Sequence, residues 1–146
     1  MKTFVFIDAS NLFYGGEKSL GWKIDYKKLL AYLQEKYDAN RIFYFGGVEI
    51  HNFKYDYQKD GTTKRKANCD VDMAFHLMKE KDTFERAVVL SGDGDFLPVL
   101  KYIKEIKKEV VILARGPRTA KEIKQFAGND FRDFEYLRER IKMQEK

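Results

Sequence analysis

Residues 87–96 read Ala-Val-Val-Leu-Ser-Gly-Asp-Gly-Asp-Phe. Four apolar positions in a row, Ala87 to Leu90, fit a strand buried on both faces, and Ser91-Gly92 stops it. The two glycines let the backbone turn sharply after the strand, which puts Asp93 and Asp95 at its mouth rather than inside the sheet. Three further runs have the same form: Thr3 to Ile7 ended by Asp8, Arg41 to Phe45 stopped by Gly46-Gly47, and Val110 to Leu113 stopped by Arg115-Gly116-Pro117. Helical periods lie between them. Asp25 precedes Tyr26, Leu29, Leu30, Leu33 and Tyr37, an amphipathic stripe behind a good N-cap residue. Comparable patterns run from Asp70 to Lys81, Phe96 to Lys107 and Glu135 to Met143. Continuous rather than alternating apolar strands, spaced by helices, predict an α/β, doubly wound parallel sheet covered on both faces.

A chain of 146 residues suits one compact domain, residues 1–146. Cys69 stands alone, which excludes a disulfide framework and a multi-cysteine zinc site. No apolar run approaches the roughly 20 residues of a membrane span. Met1-Lys2-Thr3 leads directly into a strand-like run rather than a signal-peptide core, so the expectation is a cytoplasmic protein with no membrane association. Lys and Arg total 28 against 23 Asp and Glu, a formal charge of +5 that permits nucleic-acid binding without establishing it.

In open parallel sheets, ligands bind beyond the carboxyl ends of the strands, where strand order reverses. Here those ends are acidic: Asp8 follows the first strand, and Asp93 and Asp95 follow the third. Asp and Gly also simply make turns, but two independent strand ends carry the same feature. In the helix near Asp70, the residues Met73, Ala74, Leu77 and Met78 define an apolar arc about 140° wide with Asp70 near its centre, so that Asp70 points toward the core. N-capping by Asp70 is the plainer alternative. Asp72 and His76 fall on a second face as an i, i+4 pair, read as solvated, with His76 at most lining a cleft edge. Carboxylates gathered without cations repel and take up protons, so such a cluster usually holds a hard divalent ion, and oxygen-only ligation favours Mg²⁺ or Mn²⁺.

With those residues in place, the chain resembles the LabA-like group of NYN-domain proteins, in the wider PIN-like nuclease superfamily. The likeness rests on Phe6-Ile7-Asp8-Ala9-Ser10-Asn11-Leu12, on Lys66 with Asp70-Val71-Asp72-Met73, and on Leu90-Ser91-Gly92-Asp93-Gly94-Asp95-Phe96-Leu97-Pro98. A looser match is Ala127-Gly128-Asn129-Asp130-Phe131. The resemblance implies a three-layer, PIN-like (Rossmann-like) fold whose clustered Asp side chains bind Mg²⁺ or Mn²⁺ and cut RNA. By position, Asp8, Asp70 and Asp93 are implied as metal ligands, with Asp95 a further ligand or an outer base. Asn11 is implied to hold the first loop or bond a phosphate and Ser91 to position the Asp93 loop, and Asp72 is counted with them as a supporting residue. The sequence departs from the pattern at His76, where relatives carry an acidic residue. It departs again in the 22 residues between Gly47 and Asp70, where relatives carry an additional helix and strand. Before the fourth strand, Lys107-Lys108-Glu109 stands where relatives tend to have Gly.

Cations and rings mark where substrate would lie. From His51 to Lys66 aromatic side chains alternate with charges, a mixture that holds single strands, although Phe53, Tyr55 and Tyr57 also suit an edge strand turning at Asp60-Gly61. Lys64, Arg65 and Lys66 run into the acidic mouth, and Arg115, Arg118 and Lys121 follow the fourth strand on the same side. A helix start near Thr119 offers backbone amides for a phosphate, or plain capping by Thr119. Phe13-Tyr14-Gly15-Gly16 is read as closing the first loop; Lys18, Trp22 and Lys23 flank it, Trp22 as a packing residue.

The leading expectation is a metal-dependent endoribonuclease acting on single-stranded or structured RNA. The alternative is a non-catalytic RNA-binding or scaffolding module on the same fold. A haloacid-dehalogenase phosphatase needs an Asp two residues after the first, where Ser10 stands. Dinucleotide binding lacks its spaced third glycine. A homodimer or protein partner is compatible with a basic, aromatic-rich chain, though no apolar stripe demands one.

Overall fold

A computed structural model of the chain describes residues 1–46 and 66–144, with the backbone alone at 66–69. The order is β1 (Thr3–Asp8), a π-helical turn (Asn11–Glu17) running into α1 (Lys18–Leu20), α2 (Tyr26–Tyr37), β2 (Ala39–Phe45), α3 (Lys66–Lys79), β3 (Arg86–Leu90), α4 (Leu97–Glu105), β4 (Glu109–Ala114), α5 (Lys121–Ala127), β5 (Phe131–Asp133) and α6 (Arg138–Ile141). The strands form one parallel sheet ordered β2-β1-β3-β4-β5. From β1 the chain moves outward to β2 and then returns to β3 on the other side of β1. The strand order therefore reverses between β1 and β3, and the crevice of a doubly wound sheet opens there. Register aligns Ile7 with Leu90, so Asp8 and Ser91 stand side by side at the carboxyl edge.

Strand alternation builds two cores. Val5, Ile7, Ile42, Tyr44, Val88 and Leu90 face one way and pack with Leu29, Leu30 and Leu33 of α2 and Ile141 of α6. Phe4, Phe6, Phe43, Phe45, Ala87 and Val89 face the other way, against Met73 and Leu77 of α3, Leu100 and Ile103 of α4, and Ile123 of α5. The three-layer α/β expectation holds. Asp25 caps α2 as its position suggests, its Oδ1 accepting from the amides of Lys27 and Lys28 at 3.0 and 3.2 Å. Among the described helices none is long and apolar enough to cross a membrane.

Several local readings need correction. A fifth strand, β5, has only three residues and carries no periodic signal. Helix α3 begins at Lys66, so Asp70 lies a full turn inside it and is no N-cap. The buried arc of α3 centres on Met73, with Leu77 and His76 beside it, about 60° from the arc expected at Asp70. His76 is accordingly buried rather than solvated: its ring packs against Phe43, Phe45 and Phe75, and its Nδ1 lies 2.9 Å from the Asp72 carbonyl oxygen. Phe13 to Gly16 form a π-helical turn, not an open loop. The stretch from Glu135 divides into a 3₁₀ turn (Phe134–Leu137) and α6. The readings of His51 to Arg65, including Lys64 and Arg65 as substrate cations, and of the Lys66 side chain lie outside the described residues.

Candidate functional site

Asp8 ends β1 and is 4% exposed. Its Oδ2 accepts a hydrogen bond from Ser91 Oγ at 2.9 Å, and its Oδ1 accepts from the Asn11 amide at 3.2 Å. The same Ser91 Oγ accepts from the Asp93 amide at 3.2 Å, so one hydroxyl ties the Asp8 carboxylate to the loop that carries Asp93. Asn11 completes the link from the other side: its Oδ1 accepts from the Gly92 amide at 3.1 Å. Two strand ends 83 residues apart in sequence are thereby locked together at the switch point.

Asp93 is half-buried and caps its own turn, Oδ1 accepting from the Asp95 amide at 2.9 Å ahead of the 3₁₀ residues Gly94–Phe96 that lead into α4. Asp95 is exposed beside it. A side chain at Gly92 has no room, since an added Cβ would stand 2.9 Å from Thr119 Cα, and the Ala120 amide donates to the Gly92 carbonyl at 3.0 Å. The β3–α4 loop thus rests directly on the β4–α5 loop. Asp70 and Asp72 are half-buried on α3. Asp70 flanks the buried arc there and does not sit at its centre.

The cations after β4 divide. Arg115 Nη1 lies 3.3 and 3.1 Å from the two carboxylate oxygens of Asp133, and the Gly116 amide donates to Asp133 Oδ2 at 3.1 Å. Arg115, expected to meet substrate phosphate, is therefore engaged with β5, which sequence reading missed because that strand is so short. Arg118 and Lys121 are exposed. Thr119 does not cap α5; its hydroxyl donates to the Arg115 carbonyl at 2.7 Å. Trp22 is buried in the core and its indole N–H reaches Glu135 at 3.2 Å, while Lys18 lies over the Phe13 ring.

The all-oxygen donor set of Asp8, Asp70 and Asp93 suits a hard divalent cation in its chemistry. Among the described residues, no three His, Cys, Asp or Glu side chains already converge as an ion site.

Comparison with known proteins accords with the fold. LabA of Synechococcus elongatus, the low amplitude and bright protein, is 21% identical over 159 residues, covering 89% of this chain and 85% of LabA. A protein of unknown function from Vibrio parahaemolyticus, known from its crystal structure, shares the fold with a TM-score of 0.76 at 15% identity, over 97% of this chain and 96% of that one. The NYN domain model matches residues 2–135, from the start of β1 through the segment after β5. The chain belongs to the NYN domain family, whose fold is nuclease-like.

Proposed function

We propose that this NYN domain is a metal-dependent endoribonuclease, with Mg²⁺ or Mn²⁺ held by Asp8, Asp70 and Asp93. The observation that carries the reading is the buried Asp8 carboxylate at the β1/β3 switch point, oriented by Ser91 on the end of the neighbouring strand and by the Asn11 amide three residues after it. When bound, a divalent ion polarises a phosphoryl oxygen and lowers the pKa of a coordinated water. The chain's own groups supply position. Ser91 fixes Asp8 and the Asp93 amide at once, so the two carboxylate-bearing segments share one hydrogen-bonded frame. Asn11 sets the distance between the two strand ends. Asp95, exposed beside Asp93, is the group proposed to take up a proton at its carboxylate. Arg118, with Lys64, Arg65 and Lys66, supplies positive charge for the RNA backbone.

Purified protein should cut RNA only with Mn²⁺ or Mg²⁺ present, and Asp93→Asn should reduce cutting to the metal-free background while circular dichroism stays unchanged. Undiminished cleavage by that variant would reject the assignment. The alternative, an RNA-binding or scaffolding module without catalysis, draws on His76, which is buried against Phe43 and Phe45 where relatives carry a carboxylate. Retention of RNA with no metal-dependent product selects that module.

A further inference from the structure

The π-helical turn Asn11–Glu17 has a feature that metal binding leaves unused. A π-helical hydrogen bond from the Lys18 amide to the Phe13 carbonyl widens the turn, a distortion found frequently at functional sites. Leu12 and Gly16 face the core, while between them Tyr14 is 55% exposed. The turn is fastened at both ends. Asn11 is bonded to Asp8 and to Gly92, and Glu17 Oε1 accepts from the Ile24 amide at 3.1 Å and from the Tyr26 hydroxyl at 3.0 Å. Burial and the neighbouring Glu17 carboxylate push the Tyr26 phenol far above its ordinary range, so it stays a protonated donor to that anchor. Tyr14 also has support of its own: the Phe13 ring meets it edge to face, centroids 4.8 Å apart at 86°, and Lys18 Nζ lies 5.5 Å from the Phe13 centroid. A large exposed ring on a fixed turn whose first residue is bonded to Asp8, with Lys18 over the adjoining Phe13 ring, has the composition of a base-stacking platform.

We propose that Tyr14 is a stacking surface for an unpaired nucleobase of single-stranded nucleic acid entering the crevice, with Lys18 beside it for the adjoining phosphate. The assignment rests on the ribonuclease reading for its substrate class, but its test does not depend on cleavage. Binding of a labelled single-stranded RNA and of a blunt RNA duplex is measured by fluorescence anisotropy with the full chain and a chelator present. Tyr14→Ala should weaken single-strand binding about tenfold, and Tyr14→Leu should weaken it similarly because it restores bulk without a π-face. Tyr14→Phe should stay within about twofold of the parent, and duplex affinity should hold in every variant. Wild-type single-strand affinity in Tyr14→Ala overturns the proposal. So does an equal loss for duplex, a loss in Tyr14→Phe as deep as in Tyr14→Ala, or a change confined to self-association in sedimentation velocity. The Mn²⁺-dependent cleavage assay fails or succeeds independently of these results.

Discussion

Two places on the carboxyl edge of the sheet fix a carboxylate between adjacent strands, and they do so with different chemistry. At β4/β5, Asp133 receives the Arg115 guanidinium on both oxygens, together with the amides of Gly116 and, at 3.0 Å, Glu135. At β1/β3, Asp8 receives a serine hydroxyl and a backbone amide. The first arrangement carries its own counter-charge and works as a clamp. The second holds the Asp8 carboxylate by neutral donors that tie two strand ends together, the geometry on which the proposed metal site rests. Polar side chains at strand ends are therefore not equivalent evidence of function: the partner decides.

The sharpest way to break this contrast is to remove the clamp's cation. Arg115→Ala strands a carboxylate whose side chain is only 14% exposed, and should lower unfolding stability in urea by about 3 kcal/mol. RNA affinity, measured well below the unfolding midpoint, should remain that of the parent. Loss of RNA affinity at unchanged stability would make Arg115 a substrate contact and dissolve the distinction.

At the other place the expected penalty is smaller and of another kind. Asn11→Ala leaves the buried Gly92 amide without its acceptor, a cost of about 1–2 kcal/mol by urea unfolding. Metal-dependent cleavage should fall beyond what that stability change accounts for, because the β1 and β3 ends lose their shared frame. Combining it with Ser91→Ala should give a non-additive effect, since both residues act on the same two strand ends. Simple additivity would show that Asp8 and Asp93 are positioned separately.

The asymmetry also governed what could be read in advance. Buried parallel strands are continuous apolar runs, so four strands, the α2 cap at Asp25 and the acidic ends at Asp8 and Asp93 were visible in the residue order. Strand β5 was not, because three residues hold no period, and with it went Asp133 and the true partner of Arg115. The rotation of α3 was hidden for a related reason. An apolar arc computed from Met73, Ala74, Leu77 and Met78 gives His76 no apolar weight, whereas the aromatic wall of Phe43 and Phe45 accepts an imidazole ring as readily as an aliphatic chain. The tie from Asn11 to Gly92 spans 81 residues, and no local pattern encodes it.

The smallest effect supplies the calibration. Lys107 ends α4 with φ of 73°, and the Lys108 amide closes that end by donating to the Ile103 carbonyl at 3.2 Å, the arrangement in which helices favour glycine. Lys107 thus takes up the left-handed backbone that a glycine would adopt without a Cβ penalty, and Lys107→Gly should raise stability by about 1 kcal/mol. It lies before β4 and Arg115 after it, with the strand of roughly 20 Å between them, so the two changes should add. In Lys107→Gly/Arg115→Ala, urea unfolding should recover that same increment while RNA affinity stays where it was. If restoring stability also moved RNA affinity, the clamp and the crevice would be coupled through β4, and the division between a closed strand end and an outward-acting one would have to be redrawn.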